Sequence, residues 1–260
     1  MRNIRLTVAY DGTDFFGWQR QPSKPTIQGL LEAELADITG EKAALVGSGR
    51  TDAGVHAANQ TANFKTSCSI PCPNLAKALN DHLPASVRIK DASEVAEAFH
   101  ARYKVVSKTY RYRILLAPVS SPFIARFVYH YPYPLDRAAM DKAAARFKGQ
   151  HDFTSMAAKE SPKSVEKERE SASIRHNAKN IRKVYSSRLI WNAKTRILTY
   201  EVRGSGFLHH MVRNIVGTLI EVGRGALKPS DIPPILAARD RARAGPTAPA
   251  QGLCLWKVKY

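Results

Sequence analysis

The sequence predicts an α+β fold, because strands and helices alternate along it without the regular repeat of a parallel βαβ protein. Residues 4–10 alternate apolar with polar or small side chains, which is the period of a strand with one buried face. A helix follows, since Thr26 can cap it, apolar residues recur at helical spacing and Gly40 can end it. The next predicted elements are a strand at 60–64, a helix at 75–81 and a strand at 87–90. This order is typical of helices packed on a mixed sheet.

The C-terminal part predicts a similar mixture. The elements expected there are a strand ending the stretch 99–114, a helix at 137–148 between Asp136 and Gly149, a hairpin of 183–191 with 196–203, and the longest helix, within 204–225. On that last helix the adjacent His209 and His210 would point in different directions, so they make a poor metal-ligand pair and we expect no metal site. The segment 159–179 mixes charges of both signs with few large apolar residues, which predicts a loop or an insertion.

The chain is rich in positive charge. Among its 260 residues Lys and Arg outnumber Asp and Glu by 40 to 22, which gives a formal net charge of +18. Such a surplus favours a polyanionic partner, with nucleic acid as the first candidate, and a solvated basic surface is the alternative. No apolar run is long enough to span a bilayer, and the N-terminal residues are typical of a strand rather than of a secretory signal. We therefore expect a cytoplasmic protein.

The stretch GSGRTDAGVHA, residues 47–57, has the composition of a ligand-facing loop. Its glycines allow tight turns and close approach of a ligand, which would leave Arg50 and Asp52 facing that ligand. Asp52 is either a reactive carboxylate or an acceptor of backbone hydrogen bonds in an Asx turn. Arg50 could pair with that carboxylate or grip a phosphate beside it. Because neither the GxxxxGK[ST] nor the GxGxxG fingerprint fits, no nucleotide cofactor is expected.

The stretch KTYRYRI, residues 108–114, interleaves basic and aromatic side chains along a predicted strand. Tyr110 and Tyr112 share one face, with Lys108 and Arg111 as neighbouring basic groups. The pattern fits an RNA-binding strand whose rings stack on bases, and it fits equally a half-buried edge strand with a solvated basic face.

The chain resembles the TruA-type tRNA pseudouridine synthases. The resemblance rests on the loop, the tyrosine strand and four further segments in the order of the family: YDGTDFFGWQRQ, GQHDFTSM, FLHHMVRNIVG and GPTAPAQGLCLWKVKY. It implies that Asp52 is the catalytic nucleophile and that Arg50 pairs with it and helps to open the RNA. It also implies that Tyr110 stacks on the target base, that Arg213 lies near the aspartate and that Leu253 packs near the base.

The same resemblance implies two related halves, each a mixed or antiparallel sheet with helices on one face, that meet at a basic active-site cleft. The half at 1–105 would carry the aspartate loop, and the half at 106–260 the tyrosine strand and the long helix. The implied reaction isomerises uridine to pseudouridine in the anticodon stem-loop of tRNA, at positions 38–40, by cleaving C1′–N1 and joining C1′ to C5. The target base would be flipped out of the RNA, without cofactor or metal, by a homodimeric enzyme.

Two other functions fit parts of the pattern. A non-catalytic RNA-binding or RNA-folding protein would account for the basic surface with Asp52 in a structural role. A glycosidase or nucleoside hydrolase shares the chemistry at C1′, but it would show two carboxylates where this loop offers one, and it would not need a charge of +18. The residues do not choose between attack of the carboxylate on C1′ and removal of the C2′ proton to give a glycal.

Overall fold

The computed structural model describes residues 1–158 and 180–260, so the charged segment predicted at 159–179 lies outside the described residues. The α-helices of the described part are α1 (Ile27–Thr39), α2 (Cys72–His82), α3 (Pro122–Ala125), α4 (Arg137–Ala145), α5 (Met211–Gly223) and α6 (Ile232–Ala238). Its strands are β1 (Arg2–Tyr10), β2 (Val46–Gly47), β3 (His56–Thr66), β4 (Val87–Val95), β5 (Ser107–Leu115), β6 (Tyr129–His130), β7 (Gly149–Asp152), β8 (Ile181–Asn192), β9 (Ile197–Gly204) and β10 (Leu253–Lys259).

These elements form two compact units. Unit 1 contains 1–111, 121–129 and 250–260, so β1 and β10 belong to the same unit although they are far apart in the sequence. Unit 2 contains 112–120 and 130–249. The strand β5 begins in unit 1 and ends in unit 2.

Unit 1 is built on a mixed sheet with the strand order β4-β1-β3-β10-β5. β1 pairs antiparallel with β3 and with β4, whereas β10 pairs parallel with β3. The strand predicted at 60–64 extends over the whole of β3, because β1 pairs with it from Arg2 to Tyr10. The side chains of β1 that the alternating pattern placed inside are fully buried, namely Ile4, Leu6 and Val8.

The helix α1 follows the local signals of the sequence. Thr26 Oγ1 accepts a hydrogen bond of 3.3 Å from the Gly29 N–H, and Gly40 ends the helix at a left-handed φ of 72°. Its fully buried face consists of Ile27, Leu31 and Leu35. The helix α2 begins earlier than predicted, at Cys72, because Pro73 in the first turn has no N–H that would need a partner.

Unit 2 contains the strand order β5-β9-β8-β7. The predicted hairpin is confirmed, since β8 and β9 pair antiparallel along their length. The helix α4 ends at Ala145 instead of Lys148, because the chain tightens there into i→i+3 hydrogen bonds from the N–H groups of Arg146, Phe147 and Lys148. Gly149 does not end this helix but begins β7, with a φ of 122°.

The helix α5 lies in the core of unit 2. Met211, Ile215 and Leu219, which share one face of the helix, are fully buried. With 13 residues it equals α1 and is not the longest helix. It begins after the two histidines, because His210 adopts a left-handed conformation with φ 59°. The prediction that His209 and His210 lie on the helix is therefore wrong, and their ring centroids are 4.0 Å apart.

The predicted α+β architecture is confirmed by a large mixed sheet accompanied by helices. Within the part of the chain that the structure describes, we find no helix with both the length and the apolar character that crossing a membrane requires.

Candidate active site

The loop that joins β2 to β3 is fixed where it begins. The Ser48 N–H donates to the Thr61 carbonyl oxygen at 2.7 Å, and the Ser48 hydroxyl donates to Gln60 Oε1 at 2.6 Å. The Gln60 amide in turn donates to the Gly49 carbonyl oxygen at 2.9 Å. Ser48 and Gln60 are buried, so these bonds are shielded from water. The strand β3 thus sets the path of the chain just before Arg50.

The segment after β1 holds the middle of the same loop. The Trp18 N–H donates to the Thr51 carbonyl oxygen at 3.1 Å, and the Tyr10 and Thr51 hydroxyls are 2.8 Å apart in a buried hydrogen bond. A Cβ on Gly17 would lie 2.5 Å from that Thr51 oxygen, and the φ of Gly17 is 88°. Glycine is therefore required at position 17, because both the left-handed backbone and the close contact exclude a side chain. The two segments pack directly on each other.

Asp52 begins a tight turn at the exposed end of the loop. Its carbonyl oxygen accepts a hydrogen bond of 3.1 Å from the Val55 N–H, and Gly54 takes the left-handed φ of 75° that the turn needs. The Asp52 residue is half-buried, whereas Arg50 is exposed. The loop therefore presents both predicted site residues from a backbone that is anchored on either side of them.

Tyr110 lies on β5 in the same unit and is 7% exposed. Burial raises the pKa of its phenol well above the usual value, and the negative charge of Asp52 raises it further. Tyr110 is therefore a neutral phenol at physiological pH, within electrostatic range of the Asp52 carboxylate. Unit 1 brings these two predicted residues into one site.

His56 joins four segments around the loop, a role that the sequence analysis missed. Its Nδ1 accepts a hydrogen bond of 3.0 Å from the Gly12 N–H, which leaves the proton on Nε2. That Nε2–H faces the carbonyl oxygens of Arg126 and Gln251, at 2.9 and 3.1 Å. His56 is 4% exposed, and burial lowers its pKa more than the neighbouring Asp11 carboxylate and the two carbonyl groups raise it. The sequence offered one weak signal for His56, a polar residue between Val55 and Ala57.

The Asp11 carboxylate stabilises this junction from one side. One of its oxygens accepts hydrogen bonds from the N–H and the hydroxyl of Thr13, at 3.0 and 2.5 Å. Burial alone would raise the pKa of Asp11, but the hydrogen bonds from Thr13 and the positive charge of Arg126 hold it below its usual value. Arg126 also pairs with Asp14. The Asp11 group is therefore an ionised, structural carboxylate beside the loop.

The remaining predicted residues lie in different units. Leu253 begins β10 in unit 1 and is buried. Arg213 lies on α5 in unit 2, where its Nε donates to the Ala248 carbonyl oxygen at 2.8 Å and its own carbonyl accepts from the Ala248 N–H at 3.1 Å. These two hydrogen bonds join α5 to the segment around Ala248, after which the chain enters unit 1 at residue 250.

A family model described as tRNA pseudouridine synthase matches residues 6–104 and 143–260. These segments make up most of the chain and contain the loop with Asp52. The chain belongs to the tRNA pseudouridine synthase family. Tyr110 falls between the two matched segments.

Three curated relatives of this tRNA pseudouridine synthase are similar from end to end, and each is named tRNA pseudouridine synthase A. The protein of Caldicellulosiruptor bescii is 44% identical over 260 residues, which is 100% of both chains. That of Solibacter usitatus is 46% identical over 100% of both chains, and that of Moorella thermoacetica is 45% identical over 99% of each. The protein is thus an enzyme of the isomerase class, and RNA binding without catalysis is not favoured.

Proposed function

We propose that this tRNA pseudouridine synthase isomerises uridine in the anticodon stem-loop of tRNA, at positions 38–40, with Asp52 as the catalytic nucleophile. The observation that carries the proposal is the position of Asp52 on an anchored loop, with its charge acting on the buried phenol of Tyr110. The loop geometry supports a reactive group, because such a carboxylate has to be held in one place relative to the sugar.

The reaction requires one ionised carboxylate. The bond from C1′ to uracil N1 breaks, the uracil turns and C5 joins C1′; C5 then loses its proton to solvent and N1 takes one up. Asp52 would either attack C1′ to give a glycosyl ester or remove the C2′ proton to give a glycal, and both routes start from the anion. Each route regenerates the carboxylate: in the first the glycosyl ester is broken when C5 joins C1′, and in the second Asp52 returns the proton to C2′.

Recognition of the target base would involve the other predicted residues. Flipping a base out of RNA costs a few kcal/mol, which stacking on Tyr110 and packing near Leu253 would offset. Arg50 is exposed beside Asp52 and suits a bidentate contact with a phosphate or with the carboxylate. Arg213 would add a further positive charge for the RNA. The net charge of +18 supports a long contact with the phosphate backbone.

The resemblance to the family also underlies two broader proposals. The enzyme would act as a homodimer with the RNA lying across both subunits, and it would work in the cytoplasm, where tRNA is matured. Sedimentation velocity of the pure protein tests the first, since a dimer has twice the mass of one chain, 28.8 kDa.

The proposed chemistry is tested by tritium release from tRNA labelled at uracil C5. The wild-type enzyme should release tritium, and Asp52→Asn should lose release while still binding tRNA. Asp37→Asn is the matched control, because Asp37 is an exposed carboxylate on α1 and its loss changes the net charge equally.

The outcomes separate the alternatives. Release by the wild type and by Asp37→Asn, without release by Asp52→Asn, would support the nucleophile. Release by Asp52→Asn at the wild-type rate would contradict that assignment. Mapping the product in tRNA then tests the positions, and binding of tRNA with no release by the wild type would contradict the catalytic proposal itself.

A further inference from the structure

Lys108 is a half-buried lysine of β5. Residues two apart on a strand point to the same side, so Lys108 shares the side of β5 on which Tyr110 lies, rather than belonging to a solvated basic face. Its Nζ donates a hydrogen bond of 2.7 Å to the carbonyl oxygen of Ser48, at the start of the aspartate loop. Burial lowers the pKa of this amino group to about 8, which leaves it mostly protonated at neutral pH.

The contact with Lys108 explains one of the glycines of the loop. A Cβ on Gly49 would lie 2.5 Å from Lys108 Nζ, whereas ordinary contacts of a Cβ are 3.4–4 Å. The φ of Gly49 is not in the left-handed region, so its backbone would accept another residue. A side chain at this position would therefore push the ammonium group away from where it now lies.

Lys108 acts together with Gln60 on two consecutive peptide groups. The ammonium group on β5 holds the Ser48 carbonyl, and the amide on β3 holds the Gly49 carbonyl at 2.9 Å. The orientations of these two peptides determine the direction in which the chain leaves towards Asp52. A charge-assisted hydrogen bond in a shielded place is stronger than a neutral one, so Lys108 contributes the stiffer of the two restraints.

We propose that Lys108 is a positioning residue of the isomerase, whose ammonium group fixes the backbone at Ser48 and Gly49 and thereby places Asp52 for reaction. This inference rests on the proposed function of Asp52. Lys108 acts through the loop and does not need to touch the RNA. Its removal should therefore slow the chemical step and leave the affinity for tRNA nearly unchanged.

The first test measures kcat and KM for tRNA in Lys108→Met and Lys108→Arg. Methionine replaces the unbranched stem of the side chain up to Cε and removes the ammonium donor, so kcat should fall about tenfold while KM changes by less than about twofold. Arginine keeps a permanent charge and donors, so it should recover most of kcat. Lys65→Met is the matched control, because Lys65 is an exposed lysine of β3 that pairs with Glu97, and its loss should leave kcat unchanged.

The second test uses Gly49→Ala, which leaves the lysine in place but pushes its Nζ away. Because both substitutions break the same contact, the loss of kcat in the double variant with Lys108→Met should be smaller than the product of the two single losses. If Lys108→Met does not fold, as judged by its melting curve, Gly49→Ala carries the test by itself with an expected loss of about tenfold in kcat.

Several results would overturn the inference. These are wild-type kcat in Lys108→Met or Gly49→Ala, a rise of KM alone in Lys108→Met, and independent losses in the double variant. A KM effect alone would instead indicate that Lys108 binds phosphate. Tritium release by the wild type and its loss in Asp52→Asn are measured in parallel, so a failure of the proposed function is distinguished from a failure of this inference.

Discussion

Substituting Gly12 by alanine should loosen the aspartate loop through a single methyl group. A Cβ at position 12 would lie 2.1 Å from the carbonyl oxygen of Val55 and 2.7 Å from its carbonyl carbon. The φ of Gly12 is not in the left-handed region, so alanine is excluded by contact and not by backbone conformation. Because the obstacle is backbone, no side-chain rotation can relieve it, and one of the two segments has to move.

The size of the effect follows from the geometry. An ordinary Cβ contact begins at 3.4 Å, so the segments have to separate by at least 1.3 Å, the difference between 3.4 and 2.1 Å. Overpacking of this kind costs about 1–3 kcal/mol. The hydrogen bond from the Gly12 N–H to His56 Nδ1 would lengthen as well, which adds about 1 kcal/mol. We expect the free energy of unfolding to fall by about 2–4 kcal/mol in total.

The assay combines urea unfolding with tritium release at a temperature where the variant is folded. We expect the lower unfolding midpoint together with at least a tenfold loss of kcat, because Val55 closes the turn that begins at Asp52. Gly206→Ala is the control for stability, since the nearest atoms to its Cβ belong to Arg182 and lie 3.8 Å away. Wild-type stability and activity in Gly12→Ala would refute the close packing of these segments.

Three further predictions concern the core of unit 1 and the junction around its loop. Leu35→Ala should lower the free energy of unfolding by about 2–5 kcal/mol in urea, because Leu35 is fully buried and the change leaves a cavity. Tyr10→Phe should cost about 1 kcal/mol in the same assay, since it removes the partner of the Thr51 hydroxyl. Burial lowers the pKa of His56 from the ordinary value of 6.5, so its contribution to stability is complete above that pH and is lost as the pH falls below it. The melting temperature should therefore drop more steeply between about pH 7 and pH 5 in the wild type than in His56→Gln, which keeps a donor and an acceptor but does not titrate.

Each of these predictions has its own contradicting result. A loss below about 1 kcal/mol in Leu35→Ala would mean that the α1 face is not packed as described. Tyr10→Phe with unchanged stability and unchanged kcat would show that the Thr51 hydroxyl does not restrain the loop. If the melting temperature depended equally on pH in the wild type and in His56→Gln, the imidazole of His56 would have the same pKa in the native and in the unfolded chain.

Local signals in the sequence predicted that an element exists more reliably than they predicted how long it is. Thr26 and Gly40 mark the ends of α1 because a cap and a left-handed glycine act on their immediate neighbours. The extent of β3 depends instead on its pairing with β1, a partner distant in sequence, so the prediction of 60–64 was too short. The start of α5 was also missed, because the conformation of His210 is set by surroundings that a helical pattern does not contain.

The residues of the candidate site also fall into two groups, those that local sequence features predicted and those that only the folded structure revealed. The composition of the 47–57 loop pointed to Arg50 and Asp52, since glycines around charged residues are a local feature. The sequence pointed to Lys108 only as one of the basic groups of its strand and did not point to His56, because each acts on backbone groups that folding brings to it from other segments. A basic residue on a strand and a histidine among alanines have many ordinary explanations, and only the hydrogen bonds distinguish these two.

The position of β10 has a consequence for how the enzyme is made. This strand pairs with β3 inside the sheet of unit 1, and the Gln251 carbonyl just before it accepts from His56. All of unit 2 is synthesised between these partners, so the loop with Asp52 leaves the ribosome long before β10 can pair with β3. Closing so long a loop is entropically costly and slow. In a nascent chain the loop with Asp52 therefore lacks the contacts that β10 and Gln251 provide. The enzyme becomes competent for catalysis only after this last strand has been synthesised and has paired with β3.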